Sequence, residues 1–291
     1  MLSLVNYCVF SQEKFSDFSP HSAYPIVDAD IQYKSTIWRK MDLREKINQP
    51  FFSKNNQLSK FLLEGVNSKL LVAFSDDSLK TILTSTEFSE RMKDKRIKIK
   101  SQYSDKELKA GLGGGNSSSS NDDSDNGWGN SVDKDSSSAE NDDWSDSGVD
   151  ATKIVTDYLI NDLFIIEIKE NVIIDRKRSR LYYDIQALTL KAPADNSGQE
   201  AIIASFSYKQ LHEYLKKRND CIWFNPNNEM QHRNMADAFD LRFFNAPIIK
   251  KGNGADQFIS EESGMDAKKI LKKSQKLEQQ LQDKEAEMWE N

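Results

Sequence analysis

The feature that most constrains this chain is a break in its middle. From Gly111 to Gly148 the sequence is Gly, Ser, Asn and Asp with two isolated tryptophans, Trp128 and Trp144. Such a composition cannot bury enough apolar surface to offset the entropy of ordering the backbone. A disordered acidic spacer is therefore expected over 111–150, and any fold must be assembled from what lies on either side. The spacer also concentrates charge. Ala110 to Asp150 holds ten acidic residues and one lysine, whereas all 291 residues carry 46 acidic and 40 basic groups for a net charge of -6. The rest is mildly basic, with 39 basic against 36 acidic residues, so the overall acidity says little about partners.

On both sides the hydrophobic pattern switches between short alternating runs and helical spacing, which predicts an α+β fold in two halves, 24–102 and 152–260. In the first half, Ile37–Met41 is a short run leading to Asp42. Asp42 and Glu45 have the spacing of a capping box for a brief helix stopped by Pro50. Leu58, Phe61 and Leu62 share a helical face that Gly65 is placed to end, and Leu70–Phe74 reads as a buried strand. Thr84 and Glu87 form a second capping box, and RIKIK at 96–100 alternates as an edge strand would. In the second half, Leu163–Lys169, Val172–Asp175 and Leu181–Lys191 are strand-like, with the charged RKRS between the last two suited to a hairpin turn. Ser207 and Gln210 are spaced to open a helix holding Tyr208, Leu211 and Leu215. Cys221–Phe224 reads as a strand and Met230–Phe244 as a helix.

The C-terminus differs. Residues 264–290 predict a long helix, opened by Ser263 and Asp266, with Ala267, Ile270, Leu277, Leu281 and Met288 on an approximate seven-residue seam broken by Ser274 and Lys284. A stripe this narrow calls for docking onto a neighbour, within or between subunits. At the other end, MLSLVNYCVFS (1–11) reads as the tail of a signal peptide on a shortened gene model, with Val9 and Ser11 before a cleavage point, and so predicts export. No stretch is long and apolar enough for a membrane-spanning helix, and VNYC lacks the small residues of a lipid-attachment box. Two cysteines, Cys8 and Cys221, make neither a disulfide framework nor a zinc pattern, and the CIWF setting of Cys221 predicts a buried thiol.

Chemistry is thinly signalled. Asp122, Ser124, Asn126, Gly127 and Asp133 have the spacing of a calcium loop, but the flanks are Gly/Ser and the eighth position is Gly129. A calcium-binding exported adhesin-like or spacer protein using Asp122–Asp133 is the alternative reading. His21, His212 and His232 are unpaired at helical spacing, and no nucleophile elbow or phosphate loop is present, so no cofactor, metal or catalytic residue is expected. A hydrolase built on an unmarked carboxylate pair stays open as a third class. The basic run from Arg91 to Lys100 lacks interleaved aromatics and argues for a solvated edge over nucleic-acid binding. Trp38, Arg39, Asp42, Leu43, Arg44 and Lys46 crowd aromatic, apolar and charged groups into one corner. Either a packed core or an interface anchor has that composition.

The blocks YPIVDADI, IWRKMDLREKINQPFF, IEIKENVIIDRKRSRLYYDIQAL, FNPNNEMQHRNMADAFDLRFFNAPIIK and the closing EAEMWEN together resemble, in order, the GldN (PorN) family of the type IX secretion and gliding-motility apparatus of Bacteroidetes. The resemblance covers most of the chain outside the spacer. It implies a periplasmic, non-enzymatic ring subunit that assembles with an outer-membrane lipoprotein, GldK or PorK, and with its own copies. It also implies links to the motor components GldL/PorL and GldM/PorM. The residues then expected to meet partners are Trp38, Arg39, Asp42, Leu43, Arg44 and Lys46 in the corner, and Ile270, Leu277, Leu281, Met288 and Trp289 on the terminal helix.

Overall fold

In the computed structural model the described residues are 19–94, 156–194, 200–264 and 266–289, and the side chains of Thr156, Glu229, Met288 and Trp289 fall outside that set. The chain divides into one unit of Met1–Lys95 with Thr156–Asn291 and a second of Arg96–Val155. The second lies wholly outside the described residues, and so do the expected RIKIK strand, the spacer, the calcium loop and the leader 1–11 with Cys8.

Five antiparallel strands make one sheet. They are β1 (Ile31–Asp42), β2 (Ile165–Asp175), β3 (Arg180–Ala192), β4 (Ala201–Ser207) and β5 (Ile248–Lys251), in the order β5-β1-β2-β3-β4. The two halves seen in the sequence are thus joined: β1, from the first half, runs alongside β2 from Ile31↔Asp175 to Asp42↔Ile165. The run Ile37–Met41 is the end of this long strand, because only an interior position satisfies the backbone groups on both its edges. The β2–β3 hairpin turns as expected at 176–179, where the buried Asp175 carboxylate accepts from the backbone N–H of Lys177 at 2.8 Å.

Asp42 and Glu45 do not open a helix. Asp42 Oδ1 accepts from Arg44 N at 2.9 Å, closing a turn, and the buried Asn48 fastens the loop. Asn48 Nδ2 donates to Asp42 O (2.9 Å) and Asn245 O (2.8 Å), while its Oδ1 accepts from Asn245 N (2.8 Å). Pro50 then starts a 3-10 turn, Gln49–Phe51, that buries Phe51. A capping-box spacing is overridden here by tertiary hydrogen bonds.

Helix α1 (Leu58–Asn67) continues through Gly65, which was expected to end it. Gly65 is there for contact: a Cβ on it would stand 2.5 Å from Leu71 Cδ1 and 2.7 Å from Leu71 Cγ. Leu70–Phe74 is consequently no strand but an irregular segment wedged against α1, with Phe74 alone bridging to Ile82 and Ser205. Gly65→Ala should lower the urea midpoint, since overpacking costs about 1–3 kcal/mol and outweighs the ~1 kcal/mol helix-propensity gain. An unchanged midpoint would mean that Leu71 steps aside freely.

Helix α2 (Ser85–Arg91) has the expected Thr84/Glu87 capping box. Helix α3 (Tyr208–Lys216) forms as expected and buries Tyr208, Leu211 and Leu215, but Ser207 does not cap it; its hydroxyl contacts His21 Nδ1 at 3.1 Å. The helix expected over Met230–Phe244 is only α4 (Met235–Asp240). Asn234 caps its start through Ala236 N (2.8 Å), and Arg242, at φ 56°, turns the chain so that Phe243 N bonds back to Ala238 O. Cys221–Phe224 contributes a two-residue strand, Ile222–Trp223. Burial pushes the Cys221 thiol up to about 12, so it is inert.

The register places Met41, Ile166, Ile168, Leu188 and Leu190 on one sheet face, where they pack with Phe51, Phe61 and Phe239 in the main core. Further along that face the sheet is covered by α5 (Ile259–Glu262) and α6 (Ala267–Trp289). Asp266 starts α6, its carboxylate accepting from Lys268 N at 3.0 Å. Between the two apolar covers stands Glu170.

Candidate interaction site

Arg39 and Glu170 belong to neighbouring strands of the face under both covers. The pair lies at the boundary between the covers, where little of either side chain is exposed and protein groups satisfy both. Glu170 is 0% exposed and Arg39 5%. Arg39 Nε donates to Glu170 Oε1 at 2.5 Å, Arg39 Nη1 to Ala246 O at 2.9 Å, and Arg39 Nη2 to Glu278 Oε2 at 3.1 Å. Arg242 completes the set, donating to both oxygens of Glu170 at 2.8 and 3.2 Å. Burial pulls the Arg39 guanidinium down, but Glu278 and Glu170 more than offset it and hold Arg39 above its ordinary range. Two arginines and two glutamates from β1, β2, the α4 exit turn and α6 therefore close a balanced cluster that ties the terminal helix to the strand corner. Above it opens a cleft of about 440 Å³ between Glu45, Phe244, Pro247 and Gln275.

Trp38 points the other way along β1. Its Nε1 donates to Asp77 Oδ2 at 2.7 Å, and the Lys250 ammonium sits 4.4 Å from its ring centre. Of the expected partner residues, Trp38, Arg39 and Leu43 are buried within the chain. Packing is the reading of the corner that the structure supports for these three. Asp42 is half-buried and clasps Arg44, whose guanidinium lies 3.5 Å from the centre of the Phe164 ring; Arg44 and Lys46 face solvent.

On α6, Leu281 is buried and Ile270 and Leu277 are half-buried, all against Ile37, Val172, Ile248 and Ile259 of the same chain. The seam is used internally, so a partner reaches these side chains only by displacing the helix. Ser274, read as a break in the seam, is buried on it and lies in the cleft wall, while Ala267 is exposed. Met288 and Trp289 occupy the last turn of α6, and their side chains are outside the described residues.

Exposed large apolar side chains among the described residues are spread over the chain, with Leu70, Ile82, Leu159 and Leu271 among them, and four others lie on three loops joined at one end. Ile47 stands exposed at the tip of the Asn48-fastened loop. Phe224 follows Trp223 and bonds through its N–H to Pro50 O (3.4 Å), and Phe243 packs its ring 5.1 Å from that of Trp223. Met230, in the same loop as Phe224, is 93% exposed. Large apolar side chains on mutually braced loops make this end of the fold a candidate interaction surface. Ile47, Phe224, Met230 and Phe243 escaped the sequence reading because nothing in their spacing separates them from core positions. The signal that could have singled out Glu170 was a carboxylate interrupting the apolar alternate positions Ile166, Ile168, Val172 and Ile174 of β2.

The histidines serve structure. His212 Nε2 meets Asp240 Oδ2 at 2.9 Å, and His232 Nδ1 accepts from Asn225 N at 3.2 Å beside the Phe224 ring. Among the described residues no three His, Cys, Asp or Glu side chains converge to hold a metal ion, and no helix is long and apolar enough to cross a membrane.

Residues 19–24 lie against β3, which carries one strongly perturbed acid, Asp184. Ser22 Oγ and Gln186 Nε2 each donate to Asp184 at 2.5 Å, yet burial outweighs them and pushes its carboxyl up to about 6. A folded-state value above the unfolded one means that the native protein holds this proton more tightly, so the stability it supplies is present below about pH 4 and lost as pH rises through 6. Asp184→Asn should therefore gain on the wild type by about 2 kcal/mol between pH 4 and 7. Urea titrations of both proteins across that range check it; parallel pH profiles would contradict it.

The family model for gliding motility associated protein GldN matches residues 26–290. Among curated proteins nothing matches the chain.

Proposed function

Since this chain belongs to the GldN family of gliding motility associated proteins, we infer that it is a structural, non-enzymatic subunit of the periplasmic ring of the type IX secretion and gliding machinery. In this reading it joins an outer-membrane lipoprotein of the GldK/PorK type and further copies of itself, and the ring transmits work from the GldL/PorL and GldM/PorM motor components. Family membership covers nearly the whole fold, β1 through α6. The observation that carries the reading further is the braced surface of Ile47, Phe224, Met230 and Phe243, whose apolar area another polypeptide would cover.

Co-expression with the cognate lipoprotein followed by sizing tests this. A stable complex larger than either chain is expected. Phe224→Asp with Met230→Asp, both at exposed positions, should abolish it without changing the unfolding midpoint. A chain that stays monomeric and unbound, or a complex indifferent to these substitutions, would overturn the reading.

A further inference from the structure

The first half of α6 breaks the electrostatic rules of an isolated helix. Lys268, Lys272 and Lys276 recur every four residues and form one ridge, with Lys269 and Lys273 on the row beside it. Like charges at this spacing repel, and the first of them stand at the positive end of the helix dipole, where cations are disfavoured. Lys269 and Lys273 are paired with Asp266 and Glu262. Lys268, Lys272 and Lys276 are exposed, and among the described residues none of their ammonium groups meets a carboxylate. A helix that keeps such a ridge is strained by its own charges until something negative lies along it.

The ridge borders the cleft of about 440 Å³ between α6 and the strand corner. Leu271, on the helical row next to Lys268, stands 55% exposed in the cleft wall, and Phe244, Ala246 and Pro247 line the cleft from the loop before β5. Ser274 is 4% exposed in the same wall, and its hydroxyl has no hydrogen-bond partner among the described residues. Buried hydroxyls ordinarily have one. Inside the cleft the guanidiniums are already answered, Arg39 by Glu170 and Glu278 and Arg242 by Glu170. Glu45 accepts only from neutral amides, Asn245 Nδ2 at 3.0 Å and Asn48 Nδ2 at 3.5 Å, so a further acid is unwelcome there. The recess suits an uncharged apolar group, and the ridge outside it suits carboxylates.

We propose that the lysine ridge of α6 and the adjoining cleft bind an acidic segment of a partner protein, which lays carboxylates along Lys268, Lys272 and Lys276 and inserts one large apolar side chain beside Leu271. A flat anionic lipid surface could meet the ridge but not enter the recess, whereas a polypeptide does both and carries backbone groups that can answer Ser274. Charge complementarity orients the segment and the apolar anchor selects it. The ring reading is not required, because this contact uses neither Phe224 nor Met230.

NMR titration of the full-length, isotope-labelled chain with acetyl-Asp-Glu-Leu-Glu-Asp-amide tests it. Saturable shifts at Leu271 and Ser274 are expected, weakening as salt is raised. Binding should be about tenfold weaker when alanine replaces the peptide's leucine, and about tenfold weaker in the triple variant Lys268→Gln, Lys272→Gln, Lys276→Gln. The three positions are exposed and glutamine is as good a helix former as lysine, so the variant keeps its fold. Undiminished binding by that variant, or of acetyl-Asn-Gln-Leu-Gln-Asn-amide, overturns the acidic assignment. Equal binding of the alanine peptide overturns the cleft anchor, and a titration without shifts overturns the site. Phosphatidylglycerol vesicles that move the same signals when the peptide does not would assign the ridge to a lipid surface, again against the proposal.

Discussion

Glu170→Ala is expected to destabilise the protein by about 3–5 kcal/mol. Glu170 is fully buried and answers two guanidiniums at once. Removing it leaves Arg39 with Glu278 and the Ala246 carbonyl, and strips Arg242 of the partner that meets both its terminal nitrogens. Arg39 is only 5% exposed and meets the cleft by one edge, so most of the desolvation of its charge is no longer offset. Glu170→Gln keeps the volume but not the charge, and most of the same loss is expected. Arg242→Ala should cost far less, because its side chain is partly exposed. Urea unfolding of the three variants decides the matter. A loss under about 1 kcal/mol for Glu170→Ala would mean that the cluster is hydrated, and so would a strong salt dependence, since buried pairs are little screened.

Leu281→Ala should cost about 2–3 kcal/mol, and the loss should be local. Leu281 is 3% exposed and belongs to a small apolar cluster with Ile37, Val172, Ile248 and Ile259 that is separate from the main core. That cluster and the Arg39–Glu278 pair hold α6 on the sheet. Once the leucine is shortened, opening of α6 should need less free energy than unfolding of the strands. The lysine-rich first half of α6 makes the event visible: trypsin should cut at Lys268–Lys276 in denaturant too weak to unfold the core. Cleavage unchanged from wild type would show that the charge cluster alone secures the helix. A freed α6 would also present its seam to other molecules, so sizing of Leu281→Ala tests whether copies can then exchange helices.

The local elements were legible where local chemistry decides them. Thr84 and Glu87 cap α2 because both partners of the box lie within one turn. Tyr208, Leu211 and Leu215 make α3 because their spacing matches the helix period. The RKRS turn follows from a charged tetrad between two apolar runs. The same logic failed where distant residues compete for the same groups. Asp42 and Glu45 have a capping-box spacing, yet Asn48 and Asn245 take the backbone positions a helix would need. Gly65 looks like a helix stop, yet it exists to admit Leu71 from outside the helix. Ser274 looks like a gap in the α6 seam, yet it is buried and lines the cleft.

Pattern and composition by themselves determined that the chain is α+β, that its acidity sits in one segment with no capacity for a core, and that a narrow-seamed helix at the C-terminus must dock on something. They could do so because hydrophobic period, turn chemistry and net charge are properties of short stretches. Only the tertiary structure decided that β1 belongs beside β2, that α6 docks on its own sheet, and that Arg39 is neutralised by Glu170 and Glu278 from 131 and 239 residues away. Strand pairing and charge burial depend on which surfaces meet after collapse, and no window of neighbouring residues contains that information.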